Sequence, residues 1–336
     1  AFLTNHIDSL LKLAFDPDAD AELSAKAFAI LEHSQETITN QLLAKQRLHN
    51  TACFVLAKPD DLNPIFVNRL ASLTLNAIYI DPVLVTKSCG FILQLISFIA
   101  EPSILSLFES ICAPDEDIYV IQKWLISMGF TETLCKELDD FPDRMEDATL
   151  ETPKANYLVS LLRIVTVCGM SPILGPKVCN YSFVTALNRT VGNYPLFVEN
   201  QRWEAIAALY CPDTHENMRG FFPHAIEIIT DPARANTRSS AAAVDLLAVM
   251  IQFDPDLNDF MVSMNVAKSV LDLATNNPDA TLLHLSCIDF IKAALENDKI
   301  RPGFVPELIK VLLVTFRLKN KCLKATFYKL IKLSVK

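Results

Sequence analysis

The segment Trp124–Leu138 (WLISMGFTETLCKEL) has a relative at Phe260–Leu273 (FMVSMNVAKSVLDL), displaced by 136 positions. Trp124 falls on Phe260, Leu125 on Met261 and Ile126 on Val262. Ser127 and Met128 fall on the identical Ser263 and Met264, and Gly129 falls on Asn265. Glycine and asparagine most readily take a left-handed backbone, so each copy can end one helix there. A second helix then opens on an apolar residue, Phe130 or Val266, with Leu134 or Val270 four positions on. The unit is a helix, a one-residue break and another helix. Its alignment places Trp124 in a helix–helix contact of the core, and Trp203 is read as core too.

The break recurs. Gly90-Phe91 is followed by Leu95, Gly220-Phe221 by Ala225, and Gly303-Phe304 by Leu308. The anchors at 90, 129, 220, 265 and 303 are spaced by 39, 91, 45 and 38 residues, and 91 is about twice 45. A copy is therefore expected near 175–183, with Cys179–Leu187 as a degenerate candidate. Four of the seven glycines stand at these junctions. A period of ~40–47 residues with two or three helices per unit is the armadillo/HEAT signature. The expected fold is all-α: a right-handed armadillo/HEAT-like α-solenoid of stacked two- and three-helix repeats. It would span 1–336 as a single array, and the start at Ala1 and the basic end suggest a fragment of a longer protein.

Helix punctuation agrees. Asn63-Pro64 supplies a cap and a proline at the first helical position, opening a helix to about Ile80; Asp81-Pro82 caps the next. Further helices are expected over Phe2–Phe15, Ala21–Leu31, Ile38–Leu48, His215–Ile229 and Ser239–Phe253. Asp254–Asn297 reads as a complete three-helix unit, and Phe304–Phe316 and Cys322–Val335 close the array. Asp139–Glu151, with six acids, is expected as an exposed acidic loop. Seven of the 18 prolines follow Asp, Asn or Glu, a placement at helix boundaries for which a sheet has no use.

Composition narrows the function. The net charge is −9, yet 317–336 holds one Arg, six Lys and no acid, so the first 316 residues carry −16. An acidic body argues against nucleic-acid binding. The basic end fits the polar face of a terminal helix, with Leu323, Phe327, Leu330 and Ile331 at helical spacing beside the lysines. No apolar run approaches the ~18–20 residues of a membrane span. The nine cysteines, odd in number and without a CxxC, read as reduced and buried, as in an intracellular and specifically cytoplasmic (or also nuclear) protein. No phosphate-cradling loop, HExxH, GxSxG or EF-hand pattern occurs, and the six histidines do not cluster with cysteines at zinc spacing. The chain is expected to have no catalytic, cofactor or metal site. Partner binding is its remaining task, and surface logic offers Asp61, Asn63, Arg69, Lys123, Arg163 and Arg202 as contacts.

An ordered set of short motifs adds a family. Leu62-Asn63-Pro64-Ile65 is followed by Gly90-Phe91-Ile92-Leu93-Gln94-Leu95-Ile96, then Ser103-Ile104-Leu105-Ser106-Leu107, then Lys123-Trp124-Leu125. Leu257-Asn258 and Leu282-Leu283-His284 come later. In this order they resemble the SAPS-domain proteins, over about Phe28 to Asn297. The chain lacks the family's aromatic N-terminal opening and its long C-terminal part, and Asp139–Glu151 matches poorly. The resemblance implies a non-catalytic regulatory subunit that holds the catalytic subunit of a type-6, 2A-like Ser/Thr protein phosphatase and brings it to substrates. It also implies an ankyrin-repeat third subunit. The alternative is a generic armadillo adaptor for another partner, such as a small GTPase or a peptide.

Overall fold

The computed structural model describes residues 3–33, 36–57, 63–141, 153–189 and 194–317. Every regular element among them is helical. A short 3-10 turn, Leu3–His6, leads into α1 (Ile7–Ala14), and α2 is Ala21–Glu32. From there the helices follow in threes. The first triplet is α3 (Glu36–Ala44), α4 (Arg47–Val55) and α5 (Pro64–Ile80); the second is α6 (Pro82–Ser88), a 3-10 segment (Gly90–Phe98) and α7 (Pro102–Cys112). Next come α8 (Tyr119–Ser127), α9 (Phe130–Asp140) and α10 (Pro153–Met170), then α11 (Gly175–Val178), α12 (Tyr181–Arg189) and α13 (Leu196–Leu209). The fifth is α14 (His215–Met218), α15 (Phe221–Thr230) and α16 (Arg238–Phe253); the sixth is α17 (Leu257–Ser263), α18 (Val266–Asn276) and α19 (Thr281–Glu296). The last described helix is α20 (Arg301–Arg317).

Contacts divide the described chain into two compact units, one of 3–140 and 153–178 and the other of 179–189 and 194–317. In each, a helix packs on its counterpart in the next triplet. In the first unit α3, α6 and α8 make one row, and α2, α5, α7 and α10 another. In the second, α13, α16 and α19 make a row of third helices, and α15 packs on α18. One contact fixes the register of third helices in both units. Ser103, the second residue of α7, donates its hydroxyl to Asn68 Oδ1, on the fifth residue of α5. The backbone N–H of Ser239, the second residue of α16, donates to Asn200 Oδ1, on the fifth residue of α13, at 2.9 Å. In the second unit the asparagine thus caps the start of the next helix, where orphan donors need partners, while in the first it accepts from a side chain.

The 136-residue offset is visible in the backbone. Gly129 has φ +82° and Asn265 φ +52°, both left-handed. Gly129 N–H donates to Ile126 O (3.0 Å) as Asn265 N–H does to Val262 O (3.1 Å). Ser127 and Ser263 each turn their hydroxyl back to the carbonyl three residues before, at 2.7 and 2.9 Å. Phe130, Leu134, Val266 and Val270 are fully buried. The copy expected near 175–183 begins at Tyr181, where Asn180 Oδ1 accepts from Ser182 and Phe183 N–H (2.9 and 3.2 Å).

Other expectations are corrected. Gly220 is right-handed, Gly90 opens a 3-10 segment, and Gly303 lies inside α20, so none of these three is a left-handed break. The expected helix His215–Ile229 is broken at 219–220. A third left-handed junction sits where no glycine marks it: Gln46, φ +53°, splits the expected helix Ile38–Leu48 into α3 and α4. Trp124 is only half-buried and Phe260 is 60 % exposed. The next residues, Leu125 and Met261, take the core position instead. Trp203 is core, edge-on to Phe221 at 6.3 Å. The acidic stretch starts in helix: α9 runs through Asp140, and 142–151 lie outside the described residues, as does Cys322–Val335. No disulfide joins the eight described cysteines, and Cys53 is exposed where burial was expected.

Buried polar groups tie the triplets. Gln122 on α8 is fully buried and donates to the α7 end carbonyls of Ile111 (3.1 Å) and Ala113 (2.7 Å), while accepting from Ser171 Oγ (2.8 Å). In the second unit, buried Asp254 accepts a two-pronged bond from Arg219 (2.5 and 2.7 Å), which also reaches Asp256 (2.9 Å).

Candidate functional site

The side chains proposed for partner contact do not converge. Asp61 lies outside the described residues. Asn63 caps α5, its Oδ1 accepting from Ile65 N–H at 3.0 Å. Arg69 turns inward: it donates to the Ala14 carbonyl and to Ser24 Oγ (2.7 Å) and lies over the Phe28 ring. Burial lowers its pKa. Arg163 is exposed on α10 and paired with Glu109 of α7. Lys123 is exposed on α8. Arg202 was expected at the surface but is 5 % exposed. Its Nε and a terminal nitrogen donate to the Leu187 carbonyl at 3.3 and 3.2 Å, and its guanidinium faces Phe221 at 5.8 Å. Burial lowers its pKa, against the opposing charges of Glu199 and Tyr194. Arg69 and Arg202 are therefore packing elements that satisfy helix-end carbonyls, a use of arginine that sequence spacing does not distinguish from exposure.

Arg202 does lead to a concavity. A cavity of about 400 Å³ lies in the second unit between α13, α15 and the turn that follows α15. Trp203 and Phe221 form its apolar side, and Glu199, His224, Glu227 and Asp231 its polar side. Asp231, at the C-terminus of α15, also lines a second depression of about 420 Å³, whose far wall is α18 with Ser269, Asp272 and Asn277. The two depressions have Asp231 in common. The first reaches from Gly220 and Phe221, where α15 starts, to Asp231, where it ends, and Asn188, near the end of α12, also lines it.

No known family model matches this chain, and no curated protein sequence matches it. The chemistry of the depressions must be read from their own residues. No group of three or more His, Cys, Asp or Glu able to hold a metal occurs among the described residues. No described helix is long and apolar enough to cross a membrane. The first unit has a second concavity of about 430 Å³ between α1 and α4, lined by Leu11, Phe15 and the exposed Phe54. The half-buried Arg47 lines it and makes a two-pronged bond to Asp8 (2.5 and 2.8 Å).

The sequence expectations named Arg202, Trp203, Gly220 and Phe221 among the lining residues but none of the acids Glu199, Glu227, Asp231 and Asp272. One signal pointed to them: Asp231-Pro232 and Asn277-Pro278 both follow a second helix, so the same edge of the fold carries a polar C-terminal residue in consecutive triplets.

Proposed function

We propose that this chain is a non-catalytic regulatory or scaffold subunit built as a right-handed armadillo/HEAT-like α-solenoid. Its partner is the catalytic subunit of a 2A-like, type-6 Ser/Thr protein phosphatase, with an ankyrin-repeat protein as a possible third member and the cytoplasm as its place of action. The observation that carries the scaffold part is the row packing: equivalent helices of consecutive triplets touch within each unit, and in both an asparagine of one third helix accepts from the serine near the start of the next, by its hydroxyl in the first unit and its backbone N–H in the second. Units that contact only their neighbours leave long flanks free, and repeat proteins use those flanks for partners. The phosphatase part rests on the SAPS-like motif order alone.

Two measurements test it. Purified chain on a sensor surface should bind a recombinant type-6 catalytic subunit in preference to its 2A and type-4 relatives; binding to none of them overturns the phosphatase assignment. Small-angle scattering should give a radius of gyration well above the ~20 Å of a compact globule of this length. A value near that figure overturns the solenoid.

A further inference from the structure

We propose that the corner from Asp254 to Asn258, between α16 and α17, is a salt-released joint: Arg219 latches it shut, and without that latch α17 lifts off the end of α16. The joint is independent of the phosphatase reading.

The latch is one guanidinium. Arg219, in the turn between α14 and α15, donates to both carboxylate oxygens of Asp254 (2.5 and 2.7 Å) and to Asp256 (2.9 Å). Asp254 is fully buried, whereas Arg219 is 37 % exposed and Asp256 76 % exposed. One side of the pair is shielded from ions in solution and the other is open to them.

Around the latch the polar groups are not all satisfied. Tyr210 and Asn258 are buried, yet no described protein group bonds the Tyr210 hydroxyl or Asn258 Oδ1. Burial, and after it the charge of Asp254, raises the pKa of that hydroxyl, so Tyr210 and the latched carboxylate share one environment. In the 136-residue offset Asn258 falls on Gln122, whose longer side chain bonds Ile111, Ala113 and Ser171. Asn297 follows α19 as Ser171 follows α10, but its amide goes to the Ile251 carbonyl (3.5 Å) and to the N–H groups of Lys299 and Ile300 (3.1 and 3.2 Å). The corner before α8 is therefore closed by neutral bonds and the corner before α17 by charge. A buried polar group without a partner costs free energy while the corner is shut, and water supplies the partner once it opens.

Helix α17 is also lightly held. Only Leu257, Asn258 and Met261 of its seven residues are buried, and Phe260 and Val262 are exposed. The preceding first helix, α14, is one turn of four residues, whereas the seven-residue α6 packs on α8. Beyond the latch, the ion pair of Lys299 with Asp259 (2.9 Å) ties α17 to the turn before α20, and it is exposed on both sides.

Amide hydrogen exchange of the whole chain, read by mass spectrometry, tests the joint. Raising sodium chloride from about 20 mM to about 500 mM should speed exchange in 257–263 by about threefold or more and change 119–127 by less than about 1.5-fold. The double variant Arg219→Gln/Asp254→Asn, which leaves no lone buried charge, should exchange fast in 257–263 at both salt levels. Asn258→Leu removes the unpartnered oxygen at nearly the same volume and should slow 257–263 by about threefold at low salt. Lys299→Gln, which removes the exposed pair, should keep most of the salt response. Should the double variant unfold, Arg219→Lys keeps the charge without the two-pronged geometry and should speed 257–263 at low salt; a rate equal to the parent's overturns the latch. The joint is also overturned if salt leaves 257–263 unchanged, if 119–127 responds as much, if the folded double variant keeps the salt response, if Asn258→Leu exchanges no more slowly than the parent, or if Lys299→Gln abolishes the response.

Discussion

The two left-handed junctions, at Gly129 in the first unit and Asn265 in the second, share a backbone and differ in what covers them. The bonds made by Ser127, Met128 to Trp124, Gly129 and Thr133 recur at Ser263, Met264 to Phe260, Asn265 and Ser269, and the second helix of each is anchored by two fully buried apolar residues. The first helices diverge. In α8, Trp124, Ile126 and Met128 are half-buried, and the helix packs on α6 and α7. In α17 the matching Phe260, Val262 and Met264 are 60, 45 and 49 % exposed. A repeated sequence therefore reproduces the local bend, while the neighbours decide how much of each helix is removed from water.

The comparison can be broken at several depths, and denaturant unfolding measures each change. Phe130→Ala should have the largest effect, a loss of about 3–5 kcal/mol, since the ring is fully buried and stacked on Phe108 at 5.7 Å. A loss below about 1 kcal/mol would mean the second helix is not anchored as described. Next comes Gly129→Ala, expected to cost about 1–2 kcal/mol because a Cβ is strained at φ +82° even though its nearest neighbour, Glu132 Oε2, would lie 3.9 Å away. Asn265→Gly should do the reverse and stabilise by up to about 1 kcal/mol; equal effects of one sign at both sites would contradict the shared left-handed geometry. Trp124→Ala is expected to cost about 1–2 kcal/mol, less than the about 3–5 of a core tryptophan. Phe260→Ala should stay within about 0.5 kcal/mol, so the ratio of the two reads the difference in cover directly. Finally, Gln46→Gly should stabilise by about 0.5–1 kcal/mol if Gln46 is a third junction of the same kind, and destabilise if the helix runs on.

The tie points differ between the units as well. Gln122 is a neutral amide with its bonds made to two carbonyls and a hydroxyl, while Asp254 is a buried carboxylate held by a half-exposed guanidinium. A neutral network barely responds to salt, whereas an ion pair with one exposed partner weakens as salt rises. The Asp254–Arg219 tie is thus the more salt-sensitive of these two.

Most of the helical plan was legible in the chain. Helix α5 runs from Pro64 to Ile80 as the Asn-Pro cap and the apolar spacing require, and the degenerate copy starts at Tyr181, inside the expected window. These follow from short-range rules: capping groups, fixed proline φ, and glycine or asparagine at left-handed positions. The candidate site was barely legible. The residues of its first depression come from α13 and α15, and nothing in local spacing shows that Glu199 and Asp231 line it together. Arg69 and Arg202 failed as surface residues for the same reason: whether a long cation faces water or a neighbouring carbonyl depends on the helix laid against it.

By itself the sequence determined that the chain is helical, where most helices start, and that one bend recurs at Gly129 and Asn265. Only the tertiary structure decided that Gln46 bends too, that Gly220 and Gly303 do not, and which face of each first helix is covered. The physical reason is range: a cap or a left-handed residue acts within one turn of its own helix, but burial and charge pairing are properties of whatever the packing brings alongside.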